Sequence, residues 1–111
     1  MNIALSEIWQ AANMSLANAW MLTQGAVEAI QEHGTSEQKA TYLPKLISGE
    51  WSGTMNLTEP NAGSDVGALR TKAVAENGAW KITGTKIFIT HGDQDMSENV
   101  VHLVLARTPN A

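Results

Sequence analysis

The chain contains no cysteine, which excludes disulfide frameworks and thiolate metal sites at once. A small secreted domain stapled by disulfides is therefore not an option. Basic residues are also scarce. There are 7 Lys and Arg against 11 Asp and Glu, a formal net charge of −4. A surface that follows nucleic-acid phosphates needs the opposite balance, so no nucleic-acid partner is expected. No apolar run approaches the roughly 18–20 residues needed to cross a bilayer. The N-terminus shows no basic stretch followed by an apolar one, so no secretory leader is read there. The expectation is a cytoplasmic protein without a membrane partner. The N-x-[ST] sequons at Asn13 and Asn56 carry no meaning without secretion.

What is present falls into two halves that meet near Trp51. The 111 residues suit one small domain or a piece of a larger one. Before Trp51, apolar residues recur at helical spacing: Ile8, Ala12, Leu16 and Trp20 fall four apart, and Met21, Val27 and Ile30 continue the stripe. The spacing predicts helices over 4–13 and 15–32, adjacent enough to fuse. Gly34 is the expected stop, on the ground that the residue after a helix often needs a positive φ. Thr35 to Gln38 reads as a capping box that starts another helix at Ser36. Pro44 removes a backbone donor, so a break near Leu43 is expected. Gly49 ends the helical half.

After Trp51 the pattern is strand-like. Runs at 51–57, 70–76, 79–84, 85–90 (TKIFIT) and 100–106 are expected strands. Asn77-Gly78, between two of them, is a two-residue hairpin signal because both positions tolerate positive φ. EPNAGSDVG and HGDQDMSEN are turn-rich and polar. Helices followed by strands imply an α+β fold. The four or five strands make an unfinished sheet, so the chain reads as a segment of a longer protein. An open edge and uncovered Trp9 and Trp20 then favour self-association.

Most candidate sites fail on chemistry. His33, His91 and His102 lack a second ligand at zinc spacing, so no metal is expected. His33 is better placed as a partner of the helix dipole. Asp93-x-Asp95-x-Ser97 opens like a calcium loop, but Glu98 stands where glycine is needed and Val104 where a bidentate glutamate is needed. Gly84-Thr85-Lys86 lacks Walker spacing and a following helix, which leaves Lys86 as an exposed strand residue. No G-x-G-x-x-G and no nucleophile elbow occurs. Glu59 is the tempting general base, yet a carboxylate beside a proline turn is more often structural. LTEPNAGSD remains: hydroxyls, glycine and an acid directly after an apolar strand, able to present donors to an anion or a carbonyl.

GTSEQKATYLPKLISGE, LTEPNAGSD and ITGTKIFITHG occur in this order at fitting distances. Together they resemble the acyl-CoA dehydrogenase family over essentially the whole chain. WSGTMNLTEP and HGDQDMSENVVHLVLARTP look closest to the branch that includes the 3-methylmercaptopropionyl-CoA dehydrogenases. The resemblance implies the end of a helical N-terminal domain over 1–50 and the first strands of a middle β-barrel domain over 51–111. It implies oxidation of acyl-CoA thioesters to trans-2-enoyl-CoA. A carboxylate removes the α-proton, and hydride passes from the β-carbon to FAD. Electron-transfer flavoprotein would take the electrons, and the parent would be a homo-oligomer.

The resemblance assigns FAD contacts to Met55, Leu57, Thr58, Gly63, Ser64, Phe88, Ile89 and Thr90. Leu57 would contribute backbone contacts and Thr58 a hydrogen bond to the N1/O2 edge. Gly63 would allow close backbone approach. Ser64 would lie near the pyrophosphate and the pantetheine arm, so it also counts as substrate-binding. Thr90 would lie near N5/O4. Met55, Phe88 and His91 depart from the residues common in the family. The catalytic glutamate belongs to another domain in the family, so no residue here is expected to be catalytic and the isolated chain is expected to be inactive. The alternatives are an acyl-CoA oxidase-like flavoprotein, a non-catalytic binding module of the same fold, and a free-standing small α+β protein. Acyl chain length is left open.

Overall fold

The computed structural model describes residues 2–109. The first residue of the expected 1–50 segment and the last two of the 51–111 segment lie outside it. Helix α1 covers Asn2–His33 and α2 covers Ser36–Ser48. Strands β1 (Trp51–Asn56), β2 (Lys72–Glu76), β3 (Ala79–Thr83) and β4 (Asn99–Val104) follow, with a short 3₁₀ turn at Val66–Ala68. β1 pairs with β4, and β2 pairs with β3. No helix among the described residues is long and apolar enough to cross a membrane.

Helix α1 is two helices joined at Asn13, whose backbone is extended (φ −160°, ψ 96°). The Asn13 side chain accepts a hydrogen bond from Leu16 N at 3.1 Å. It therefore acts as the N-cap of the second piece, which is why 4–13 and 15–32 read as separate helices. Gly34 stops α1 for a reason other than the expected one. It is not among the glycines with positive φ. Its N donates to Ile30 O at 2.8 Å, and a Cβ there would come within 2.5 Å of that same oxygen. The glycine is required by close approach to the last turn. The capping box of α2 forms as expected: Gln38 N donates to Thr35 Oγ1 at 3.2 Å and Thr35 N donates to Gln38 Oε1 at 2.9 Å.

The expected break at Pro44 does not occur, and α2 runs through it. Leu43 and Leu46 on either side are buried with Ile30. Their packing holds the turn although one backbone donor is missing, a case of tertiary contacts overriding propensity. Gly49 closes the helix at φ 82°.

The described residues group into two compact units. One takes residues up to Met55 and 90–102. Its core is Ile30, Leu43 and Leu46, with Val27, Tyr42, Trp51 and Val101 packed against it. The Trp51 ring lies 6.1 Å from that of Tyr42, and the Lys45 ammonium sits 4.7 Å above it. At Gly53 the strand meets α1 at backbone range. Gly53 N donates to Thr23 Oγ1 at 3.0 Å, and Ala26 opposite has no solvent exposure. Gln94, Ser52 and Ser97 form a hydrogen-bonded triangle that ties the 91–99 loop to β1.

The other unit takes residues 56–89 and those from 103 onward. Its β2–β3 hairpin turns at Asn77 and Gly78, both in the left-handed region (φ 53° and 79°), with Glu76 opposite Ala79. This is the two-residue turn its sequence announces. Arg107 fastens the hairpin to the preceding turn. Its backbone bonds Thr71 O and Ala73 N, each at 2.8 Å, and its guanidinium donates to Leu69 O and Gly67 O.

The expected strand over 85–90 is absent. The alternation of Ile87 and Ile89 is real, and both are half-buried. However, Phe88 between them takes φ 57°, which interrupts any extended ladder. Ile87 N is instead spent on Thr58 O at 2.9 Å.

Candidate functional site

The turn after β1 is built around Glu59. Glu59 and Ala62 exchange backbone hydrogen bonds at 3.0 Å each, with Pro60 and Asn61 at the corner, as Pro favours in such turns. Asn61 Nδ2 donates to Ala68 O at 2.9 Å and secures the next stretch. The Glu59 side chain points inward and is only 3% exposed. It accepts from Arg70 N at 2.6 Å, Thr71 N at 3.0 Å and Lys86 Nζ at 2.9 Å. Lys86 Nζ also donates to Leu57 O at 2.9 Å. The side chain of Lys86 is 9% exposed, so the expectation of an exposed lysine is overturned. A buried ammonium needs a paired anion and further acceptors, and Glu59 and Leu57 O supply them.

The Thr71 hydroxyl beside the carboxylate, the Arg70 N–H and the Lys86 ammonium hold Glu59 down to about 2, from an ordinary 4.5, while burial opposes them. The Thr71 hydroxyl oxygen is itself buried and has no hydrogen-bond partner of good geometry among the described residues. A carboxylate this acidic is a poor base near neutral pH, and both its oxygens already accept hydrogen bonds from the surrounding structure. Glu59 is thus a structural anchor.

That depression has a sign. A carboxyl with a lowered folded value binds fewer protons folded than unfolded, so it adds stability above about 4.5 that is lost as pH falls toward about 2. In the full-length protein, Glu59→Gln should flatten the decline of the urea midpoint across this window while lowering the midpoint at neutral pH. A variant whose midpoint still falls with the parental slope would show that Glu59 does not carry it.

Six of the residues expected to contact a flavin lie in the unit that holds this anchor: Leu57, Thr58, Gly63, Ser64, Phe88 and Ile89. Met55 and Thr90 belong to the other. Leu57, Gly63 and Ser64 are exposed, and Thr58 and Ile89 are half-buried. The Thr58 and Ser64 hydroxyls engage no other described residue. Apart from its chain neighbours, no described residue lies within 4 Å of the place a Cβ would take on Gly63. Phe88 is 90% exposed while held at positive φ, a costly combination for a bulky aromatic. A separate cavity of about 340 Å³ in the first unit has Trp9, Trp20, Thr23, Gln24, Trp51 and Met96 among its lining residues, and none of the eight. Lys86 is the residue that reading the sequence missed. Its motif position gave no sign that the side chain folds back onto Glu59.

A family model described as "Acyl-CoA dehydrogenase, middle domain" matches residues 54–111, and one described as "Acyl-CoA dehydrogenase, N-terminal domain" matches residues 1–50. The chain belongs to the acyl-CoA dehydrogenase family. It is 57% identical over 109 residues to 3-methylmercaptopropionyl-CoA dehydrogenase of Ruegeria pomeroyi, covering 97% of this chain and 18% of that protein. It is 50% identical over 107 residues to butyryl-CoA dehydrogenase of Syntrophomonas wolfei, covering 95% of this chain and again 18% of the relative. Among solved structures, a glutaryl-CoA dehydrogenase of Mycobacterium smegmatis in complex with FADH2 matches with a TM-score of 0.79 and 30% identity, over 91% of this chain and 25% of that one. The chain thus spans less than a fifth of the length of these curated relatives. The helices-then-strands order of this acyl-CoA dehydrogenase segment is the expected α+β arrangement: the end of the family's helical N-terminal domain and the start of its middle domain.

Proposed function

We propose that this chain is part of an FAD-dependent dehydrogenase acting on an acyl-CoA thioester, and that it supplies one wall of the flavin site. The observation that carries this reading is Phe88, whose exposed ring is held out on a left-handed backbone. A strained, exposed aromatic is a poor structural choice but a good face for a flat ring system. The uncommitted Thr58 and Ser64 hydroxyls and the open face of Gly63 fit the same group.

When bound, FAD supplies the hydride-accepting chemistry. The chain's own residues bind and orient. Leu57 offers main-chain contact and Thr58 a donor to the N1/O2 edge, where negative charge gathers on reduction. Ser64 serves the pyrophosphate and the substrate's pantetheine arm. Ile89 continues the wall. Met55 and Thr90 are assigned on family resemblance alone, Thr90 toward N5/O4. The proton-abstracting carboxylate is assigned outside this chain on family resemblance, in keeping with the engagement of Glu59 in structure. The division into 1–50 and 51–111, the homo-oligomeric parent, cytoplasmic placement and electron-transfer flavoprotein as acceptor belong to the same reading and rest on the family.

The test is direct. The full-length protein should purify with about one FAD per subunit, and its flavin absorbance should bleach when an acyl-CoA is added without oxygen. Absence of bound flavin after reconstitution, or no bleaching with short, medium or branched acyl-CoA, would sink the reading. Rapid reoxidation by oxygen would move it to the oxidases.

A further inference from the structure

We propose that Lys86 is a positioning residue for the flavin site: with Glu59 it clamps Leu57 and Thr58 to the segment that carries Phe88 and Ile89. The inference rests on the flavin reading above and goes beyond it, since Lys86 itself is not assigned a flavin contact. Three consecutive residues accept hydrogen bonds from two. Leu57 O and Glu59 Oε1 each take one from Lys86 Nζ, and Thr58 O takes one from Ile87 N, all at 2.9 Å. Glu59 is in turn pinned to Arg70 N and Thr71 N. The clamp therefore has a fixed base and grips the chain on both sides of the Thr58 side chain.

A tie for stability alone would not require charge. Buried ion pairs are weak evidence for stability, because apolar residues of similar volume often serve as well. What this pair adds is geometry. Phe88 lies two residues beyond Lys86 and holds a left-handed conformation that persists only when its surroundings over-determine it. The bonds from Lys86 and Ile87 supply that constraint. The clamp thus fixes two things together, the height of the Thr58 hydroxyl and the presentation of Phe88.

The experiment uses the full-length holoprotein with Lys86→Met, Lys86→Gln, Lys86→Arg and, as a reference, Thr58→Ala. Each is measured for FAD dissociation constant, flavin midpoint potential and urea midpoint. Lys86→Met and Lys86→Gln should weaken FAD binding about 10-fold or more, since small misplacements carry large costs, and should lower the flavin potential in the folded protein. Lys86→Arg, which keeps a cation within reach of Glu59, should recover most of both. Should Lys86→Met fail to fold, Lys86→Gln, which retains a donor for Leu57 O, carries the measurement. If the neutral variants lower the urea midpoint but keep parental FAD affinity and potential, the tie is structural only and the positioning role is overturned. A shift in Thr58→Ala alongside parental values in the lysine variants would overturn it alone. A full-length protein that takes up no FAD would overturn it together with the flavin reading.

Discussion

Gly53→Val in the full-length protein should cost about 3 kcal/mol or more of stability, toward or beyond the upper end of measured overpacking penalties. A Cβ at residue 53 would stand 2.5 Å from Ala26 Cβ and 3.3 Å from Thr23 Cα. Neither atom is the tip of a flexible side chain, so relief requires α1 to move as a body. Movement would also break the bond from Gly53 N to Thr23 Oγ1 and expose Ala26, which is fully covered. Gly53→Ala should cost less, and adding Ala26→Gly to it should return part of the loss, because the two sites share one contact. Urea unfolding of the three variants tests this. A Gly53→Val protein within about 0.5 kcal/mol of the parent, the ordinary range for surface changes, would mean that the helix and strand are not locked at this point.

Thr58→Ala should lower the flavin midpoint potential. A hydrogen bond to a charged group contributes about 1.5–3 kcal/mol, which is about 30–65 mV for a two-electron couple. The direction follows from the charge: in the proposed site the hydroxyl would stabilise the reduced, negatively charged edge, so its loss should make reduction harder. Folding should change little, since the Thr58 main-chain carbonyl keeps its bond from Ile87 N and the side chain is only half-buried. Redox titration with a reference dye measures the effect. A parental potential at full FAD occupancy would remove Thr58 from the site.

The elements most legible in the sequence are those whose cause is local. The Thr35–Gln38 box and the Asn77-Gly78 turn each rest on residues within three positions of one another, and both form as read. The features that misled are settled by residues far apart in the chain. Pro44 does not break α2, because Leu43 and Leu46 are held by Ile30 from another helix. Residues 85–90 alternate like a strand, yet their backbone and Lys86 are claimed by the turn at 57–59, some 27–29 residues earlier. Gly34 ends α1 as its position suggests, but through steric fit against Ile30 O, which leaves no trace in composition. The resemblance carried by LTEPNAGSD and ITGTKIFITHG gives the family. What it could not convey was that one ion pair joins those two segments.

Arg107 bears on timing as well as on shape. Its guanidinium and backbone close the turn that begins near Gly67 and Leu69, 38 residues or more earlier, and residues 90–102 complete the unit that begins with α1. Neither unit is continuous in the chain. As the polypeptide emerges from the ribosome, α1, α2 and the β2–β3 hairpin can form from nearby residues, and such local contacts are the fast ones. Completion must wait until residues 102 and 107 have been made. Until then the Glu59 turn lacks its outer fastening and the Ile30–Leu46 core lacks Val101. The growing chain therefore passes through a stage in which both helices and the β2–β3 hairpin are present while β1 still lacks its partner β4 and both units stay open.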